Sequence, residues 1–202
     1  MSATARVLAI VAAIAVLAVA IASMVPHADP PPRPVPDDRR EASAARGETF
    51  LAFARDFEDF RSWERIPIEG AMIPVGATPG PTAVYVNRRA PEGARRWPVG
   101  TMFVKTIENG EPSDWVIHAM VKRGVPYNRD GTIGWEFLEL RVGRASGAMQ
   151  IVWRGMGPPS GHGYAARGRD AGVGAVPLVC NDCHAAAWQS DGALTPALAL
   201  SH

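Results

Sequence analysis

The only two cysteines of the chain share one pentad, Cys180-Asn181-Asp182-Cys183-His184. A C-x-x-C-H spacing is what covalent haem attachment requires. The two thiols add across the haem vinyl groups, and the adjacent imidazole becomes an axial ligand of the iron. Three other chemistries use a C-x-x-C pair. A thioredoxin-like redox pair opens a helix after a strand within a βαβ pattern, and no such pattern surrounds this one. A structural zinc site wants four Cys/His ligands, and no second cluster completes one. A structural disulfide is the third. The haem reading makes Cys180, Cys183 and His184 the cofactor-binding residues of a single covalent haem c, with His184 as ligand to its iron.

Haem c is assembled outside the bacterial inner membrane, so the chain must be exported. Arg6 precedes an uncharged apolar run from Val7 to Ala22, which Ser23, Met24 and Val25 extend. Such a run approaches the roughly 20 residues that cross a bilayer, and Ala20-Ile21-Ala22 offers a small-x-small cleavage site. Residues 1–25 are therefore expected to be a cleaved signal peptide or a retained inner-membrane anchor. In both cases Arg6 stays inside and the remainder is periplasmic. Pro26, Pro30, Pro31, Pro32, Pro34 and Pro36 make residues 26–40 a semi-rigid spacer. Residues 41–202 are then one domain. With 21 Lys and Arg against 20 Asp and Glu, nothing points to a nucleic-acid partner.

The elements that must position the pentad precede it. Phe50, Phe53, Phe57 and Phe60 recur at helical spacing, which predicts an amphipathic helix of about four turns ending near Trp63. Asp56, Glu58 and Asp59 lie opposite that stripe and read as a solvated face, not a metal cluster. The period then changes. Thr82–Asn87, Thr101–Ile107, Trp115–Lys122, Gly134–Val142 and Met149–Arg154 are short, rich in β-branched and aromatic residues, and separated by turns such as Glu108-Asn109-Gly110 and Arg129-Asp130-Gly131. A brief helix is expected around Pro91–Trp97. A glycine-rich run, Gly155–Gly174, reads as a long loop delivering the chain to a short terminal helix that the pentad begins. The predicted class is α+β: a mainly antiparallel sheet of about five strands, an N-terminal amphipathic helix and a C-terminal haem-bearing helix.

A haem motif this late excludes the common small cytochrome c, whose methionine ligand follows the motif. Here 18 residues follow His184 and all seven methionines precede it. A β-rich body also excludes the four-helix-bundle cytochrome c′. Across Phe60 to His184 the chain resembles the cytochrome P-460 family and its relative, the β-type cytochrome c′. The resemblance is carried by Val84-Tyr85-Val86-Asn87, by Trp97-Pro98-Val99-Gly100-Thr101-Met102-Phe103-Val104-Lys105, by Met120-Val121-Lys122, by Gly134-Trp135-Glu136-Phe137, and by the terminal pentad.

The resemblance implies that Lys105 is the lysine joined covalently to a haem meso carbon in cytochrome P-460; β-type cytochromes c′ lack that bond. Position agrees, because Thr101, Phe103, Lys105 and Ile107 share one face of a strand. A lysine among apolar neighbours would be desolvated, favouring its neutral, nucleophilic amine. An edge-strand lysine snorkelling to water is the alternative. Phe103 is a candidate wall of the distal pocket, or ordinary core. His118, Met120, Met156 and His162 are available sixth ligands, but isolated His and Met residues more often pack or solvate, so a five-coordinate iron is expected. The family also implies a carboxylate soon after the haem motif. Here Ala185, Ala186, Ala187 and Trp188 follow, with no acid before Asp191. Asp182 should face away, leaving Glu136 or Glu139 as replacements.

Three functions follow from these features. One is oxidation of hydroxylamine, or conversion of a related nitrogen oxide, with electrons passing to a periplasmic acceptor. Another is binding of nitric oxide without turnover. The last is electron transfer alone. Family members are often dimers, although no interface signature stands out here.

Overall fold

The computed structural model describes residues 48–74, 77–159, 162 and 179–200. The expected export segment and proline-rich spacer lie outside those residues, as does most of the glycine-rich run. Among the described residues no helix is long and apolar enough to cross a membrane.

The body is one six-stranded antiparallel sheet in simple meander order: β1 (Glu64–Pro67), β2 (Thr82–Val86), β3 (Met102–Ile107), β4 (Val116–Lys122), β5 (Trp135–Val142) and β6 (Met149–Gly155). Turn chemistry sets the reversals, as where Gly110 takes a left-handed φ of 66° early in the β3–β4 connection. The five expected strands are all present, within a residue or so of their expected ends. The sixth, β1, is an addition. It carries Pro67 and is an edge strand, the place in a sheet where a missing N–H does least harm.

Register assigns every side chain to one of two faces. Tyr85, Val104, Ala119 and Leu138 align across β2 to β5 on the first face, with Ala83, Thr106, Ile117 and Leu140 beside them. Phe57 and Phe60 cover that face. They come from the segment expected as a four-turn helix. It is instead two short 3-10 turns, Ala54–Phe57 and Phe60–Ser62. An i, i+3 spacing suits a 3-10 turn as well as an α-helix, and only Phe57 and Phe60 are buried while Phe53 is 46% exposed. The expected helix at Pro91–Trp97 is likewise absent; the chain makes a turn there, with Ala94 N–H donating to the Pro91 carbonyl.

The second face carries Val84, Phe103, Lys105, His118, Met120 and Phe137. It is covered by the C-terminal segment, from which Ala193 and Leu198 pack into the same cluster. With both faces buried, the central strands lose the polar alternation of a half-exposed sheet, and all five residues of β2 are buried. The site is built on this second face.

Candidate functional site

The pentad forms α1 (Cys180–His184), a single helical turn. So short a helix has no stability of its own and must be held by tertiary contacts. Asn181, between the two cysteines, provides them. Its Oδ1 accepts from Asn128 Nδ2 at 2.9 Å and from the Thr132 amide at 3.0 Å. Its Nδ2 donates to the Met156 carbonyl at 2.9 Å. Asp182 is exposed and accepts from the Val179 amide at 2.9 Å, so it caps the helix start and faces away from the cavity, as expected.

Between α1 and the sheet lies a cavity of about 480 Å³, within the range typical of cofactor pockets. Val84, Phe103, Lys105, His118, Met120 and Phe137 form its sheet wall; Cys180, Cys183 and His184 line it from α1; residues 68–72 and 193–198 close the remaining sides. All five residues singled out for the site, Lys105, Phe103, Cys180, Cys183 and His184, therefore border one space.

Lys105 lies on β3, between Val84 of β2 and His118 of β4. It is half-buried in the interior of the sheet, which overturns the edge-strand alternative. Its ammonium donates to the Met72 carbonyl. Phe103 is both wall and core. It stacks on Trp135 at 5.2 Å and meets Trp97 edge-on at 4.8 Å.

The two sulfurs are not joined. Burial pushes the Cys180 thiol up to about 12, opposite to the lowered pKa of a reactive redox cysteine. Among the described residues no three His, Cys, Asp or Glu side chains converge as a zinc site requires. His184 Nδ1 lies 2.7 Å from the Gly192 carbonyl, so this nitrogen carries the proton and Nε2 keeps its lone pair. Burial holds the imidazole below its usual pKa, partly opposed by that hydrogen bond. The ring packs 5.2 Å from Phe137. Two thiols, a neutral imidazole with a fixed tautomer and an apolar chamber fit a covalently held haem.

Of the available sixth ligands, His118 and Met120 line the cavity. Burial depresses the His118 pKa to about 4, so its ring is neutral near pH 7. Met156 is 54% exposed and does not line the cavity. His162 Nδ1 lies 2.6 Å from Glu139 Oε2, which also accepts from Trp153 Nε1 at 2.8 Å.

The candidate carboxylates separate by face. Glu136 is on the first face, buried and paired with Arg154 and Arg123, so it does not reach the cavity. Glu139 is on the second face, cross-strand from His118. Two features escaped sequence reasoning. Glu69, exposed in the loop after β1, is the one carboxylate in the cavity lining among the described residues. Asp191 is turned away and bound to Lys122. An Asp-Gly dipeptide shortly after the motif was the only signal for that second arrangement.

No family model matches the chain, and neither does any curated protein or solved structure.

Proposed function

We propose that the chain is an exported mono-haem c protein of the cytochrome P-460 type that oxidises hydroxylamine or converts a related nitrogen oxide. The observation carrying this reading is the single cavity that brings Cys180, Cys183 and His184 against Lys105, Phe103 and His118. Haem bound there would supply an iron able to take a small nitrogenous ligand and exchange electrons with it.

The chain's own residues supply the rest. Cys180 and Cys183 tether the cofactor, and His184 offers Nε2 while Gly192 holds its other nitrogen. Phe103, Met120 and Phe137 keep the chamber apolar, so a small neutral molecule enters more readily than an ion. Removing two electrons from hydroxylamine to give nitroxyl also releases two protons. His118 lines the cavity as a neutral base, and Glu139 beside it, hydrogen-bonded to His162, accepts protons onward. The electrons pass to a periplasmic acceptor. Lys105 lines the same cavity; a bond from its amine to a carbon of the macrocycle would replace one N–H and one C–H by N–C, and an external peroxide-class oxidant would take up the two electrons released with the two protons.

A second reading, nitric oxide binding without turnover, is favoured by one observation. Asp191, the first acid after the motif, is engaged by Lys122 and Trp97 and does not line the cavity. The test begins with protein matured in a cytochrome c-assembling host. Its intact mass should include one haem, and its ferrous Soret band should lie to the red of ordinary haem c. Lys105→Ala should abolish the red shift while the haem stays attached. Steady hydroxylamine turnover with an artificial acceptor separates enzyme from binder. Colourless mature protein would sink both readings.

A further inference from the structure

The turn after α1 is held more firmly than a surface turn needs. Asp191 and Gly192 both take left-handed backbone, with φ of 49° and 87°. Lys122 Nζ lies 2.7 Å from each carboxylate oxygen of Asp191. The Trp97 amide donates to Oδ2 at 2.9 Å, and Trp135 Nε1 donates to the Asp191 carbonyl at 2.7 Å. Lys122 also donates to the Ile133 carbonyl at 2.9 Å and sits 5.0 Å from the Trp135 ring centre. The pair is nearly dry, its side chains 4% and 11% exposed. Gly192 admits no substitute, since an added Cβ would lie 2.5 Å from Thr132 Cγ2.

Burying a lysine and an aspartate together contributes little net stability compared with apolar residues of the same volume. The arrangement is better explained by what it holds still. The next carbonyl along the chain, that of Gly192, is the acceptor for His184 Nδ1.

We propose that Lys122 and Asp191 are positioning residues for His184: by clamping the 191–192 turn they fix the Gly192 carbonyl against Nδ1 and so set the orientation and donor strength of Nε2 toward a haem iron. This rests on the haem reading above. Acceptors on the far nitrogen of a ligating imidazole fix its tautomer and raise its basicity, and losing one typically costs about 10–100-fold in metal affinity. A stronger donor favours ferric over ferrous iron, so the intact clamp lowers the reduction potential.

The test uses the full chain carrying its haem, in wild type, Asp191→Asn, the double variant Lys122→Met with Asp191→Asn, and Glu108→Gln. Asparagine tolerates left-handed backbone, and the double variant leaves no buried charge unpaired should the single one fail to fold. Both clamp variants should raise the reduction potential, by about 59 mV if the ferric preference falls tenfold, and lower the ferrous iron–histidine stretching frequency. Glu108→Gln opens the Arg65 ion pair on the sheet's first face; it should lower the melting temperature and move neither readout. A folded double variant with wild-type potential and stretching frequency overturns the proposal and leaves the haem reading standing. Wild-type protein that matures without haem overturns both.

Discussion

Glu136 and Glu139 sit on one strand and serve opposite purposes, because successive side chains leave a strand on alternate faces. Glu136 binds two arginines in a buried layer and belongs to stability. Glu139 is cross-strand from His118, which lines the cavity, and bears on that space only through it. If the chain oxidises hydroxylamine as proposed, Glu139→Gln should reduce turnover by about 10²-fold or more while nitric oxide still binds, whereas Glu69→Gln, at an exposed position, should leave turnover near wild type. Stopped-flow binding and steady-state rates separate the two outcomes. His118 adds a pH signature. Burial holds its pKa at about 4 against 6.5, offset in part by Glu139 and reinforced by Lys105 and His162. Between those values the unfolded chain binds a proton that the native chain does not. Stability is then complete above pH 6.5 and is lost progressively toward pH 4, by on the order of 3 kcal/mol. Glu108 runs in the same sense: burial raises its pKa, but Arg65, Tyr85 and Thr106 outweigh this and lower it, so acid removes its contribution too. Urea midpoints measured down this range should fall, and His118→Phe should flatten the slope.

The strands were legible because two independent signals agreed, β-branched runs and glycine turns between them. β1 was not, since Glu64-Arg65-Ile66-Pro67 buries only Ile66 and contains a proline. The phenylalanine stripe misled for a physical reason: the same spacing serves two 3-10 turns that cover a sheet. The pentad was legible from its spacing, and the shared face of Phe103 and Lys105 from strand parity, but parity left Lys105 open to an edge-strand placement and only the resemblance singled it out. Asn181, Lys122 and Asp191 were not legible, because each acts through a partner far away in sequence that only the folded sheet brings near. Asn181 makes the point testable. Asn181→Ala would strand the Thr132 amide and the Asn128 Oδ1, though Asn128 Nδ2 keeps the Trp135 carbonyl, a loss of about 1–3 kcal/mol per buried group. A thermal melt of the variant should show that drop, with α1 no longer held against the loop preceding β5.

Across the whole molecule, one sheet is covered twice, by an aromatic N-terminal segment and by the C-terminal tail that bears the thiols. Ending the chain before Val179 should bare Val84, Phe103, Met120 and Phe137 together, a contiguous apolar patch of the kind soluble monomers avoid. Dye binding and size-exclusion chromatography should report that exposure and the self-association it drives. The meander has a consequence for maturation. Each strand pairs with the one synthesised just before it, so the framework can close early and quickly. The thiols arrive last, onto a wall already finished. On the proposed haem reading, a porphyrin would be delivered to an open shelf and captured as the tail folds down, with no need to prise apart a completed core.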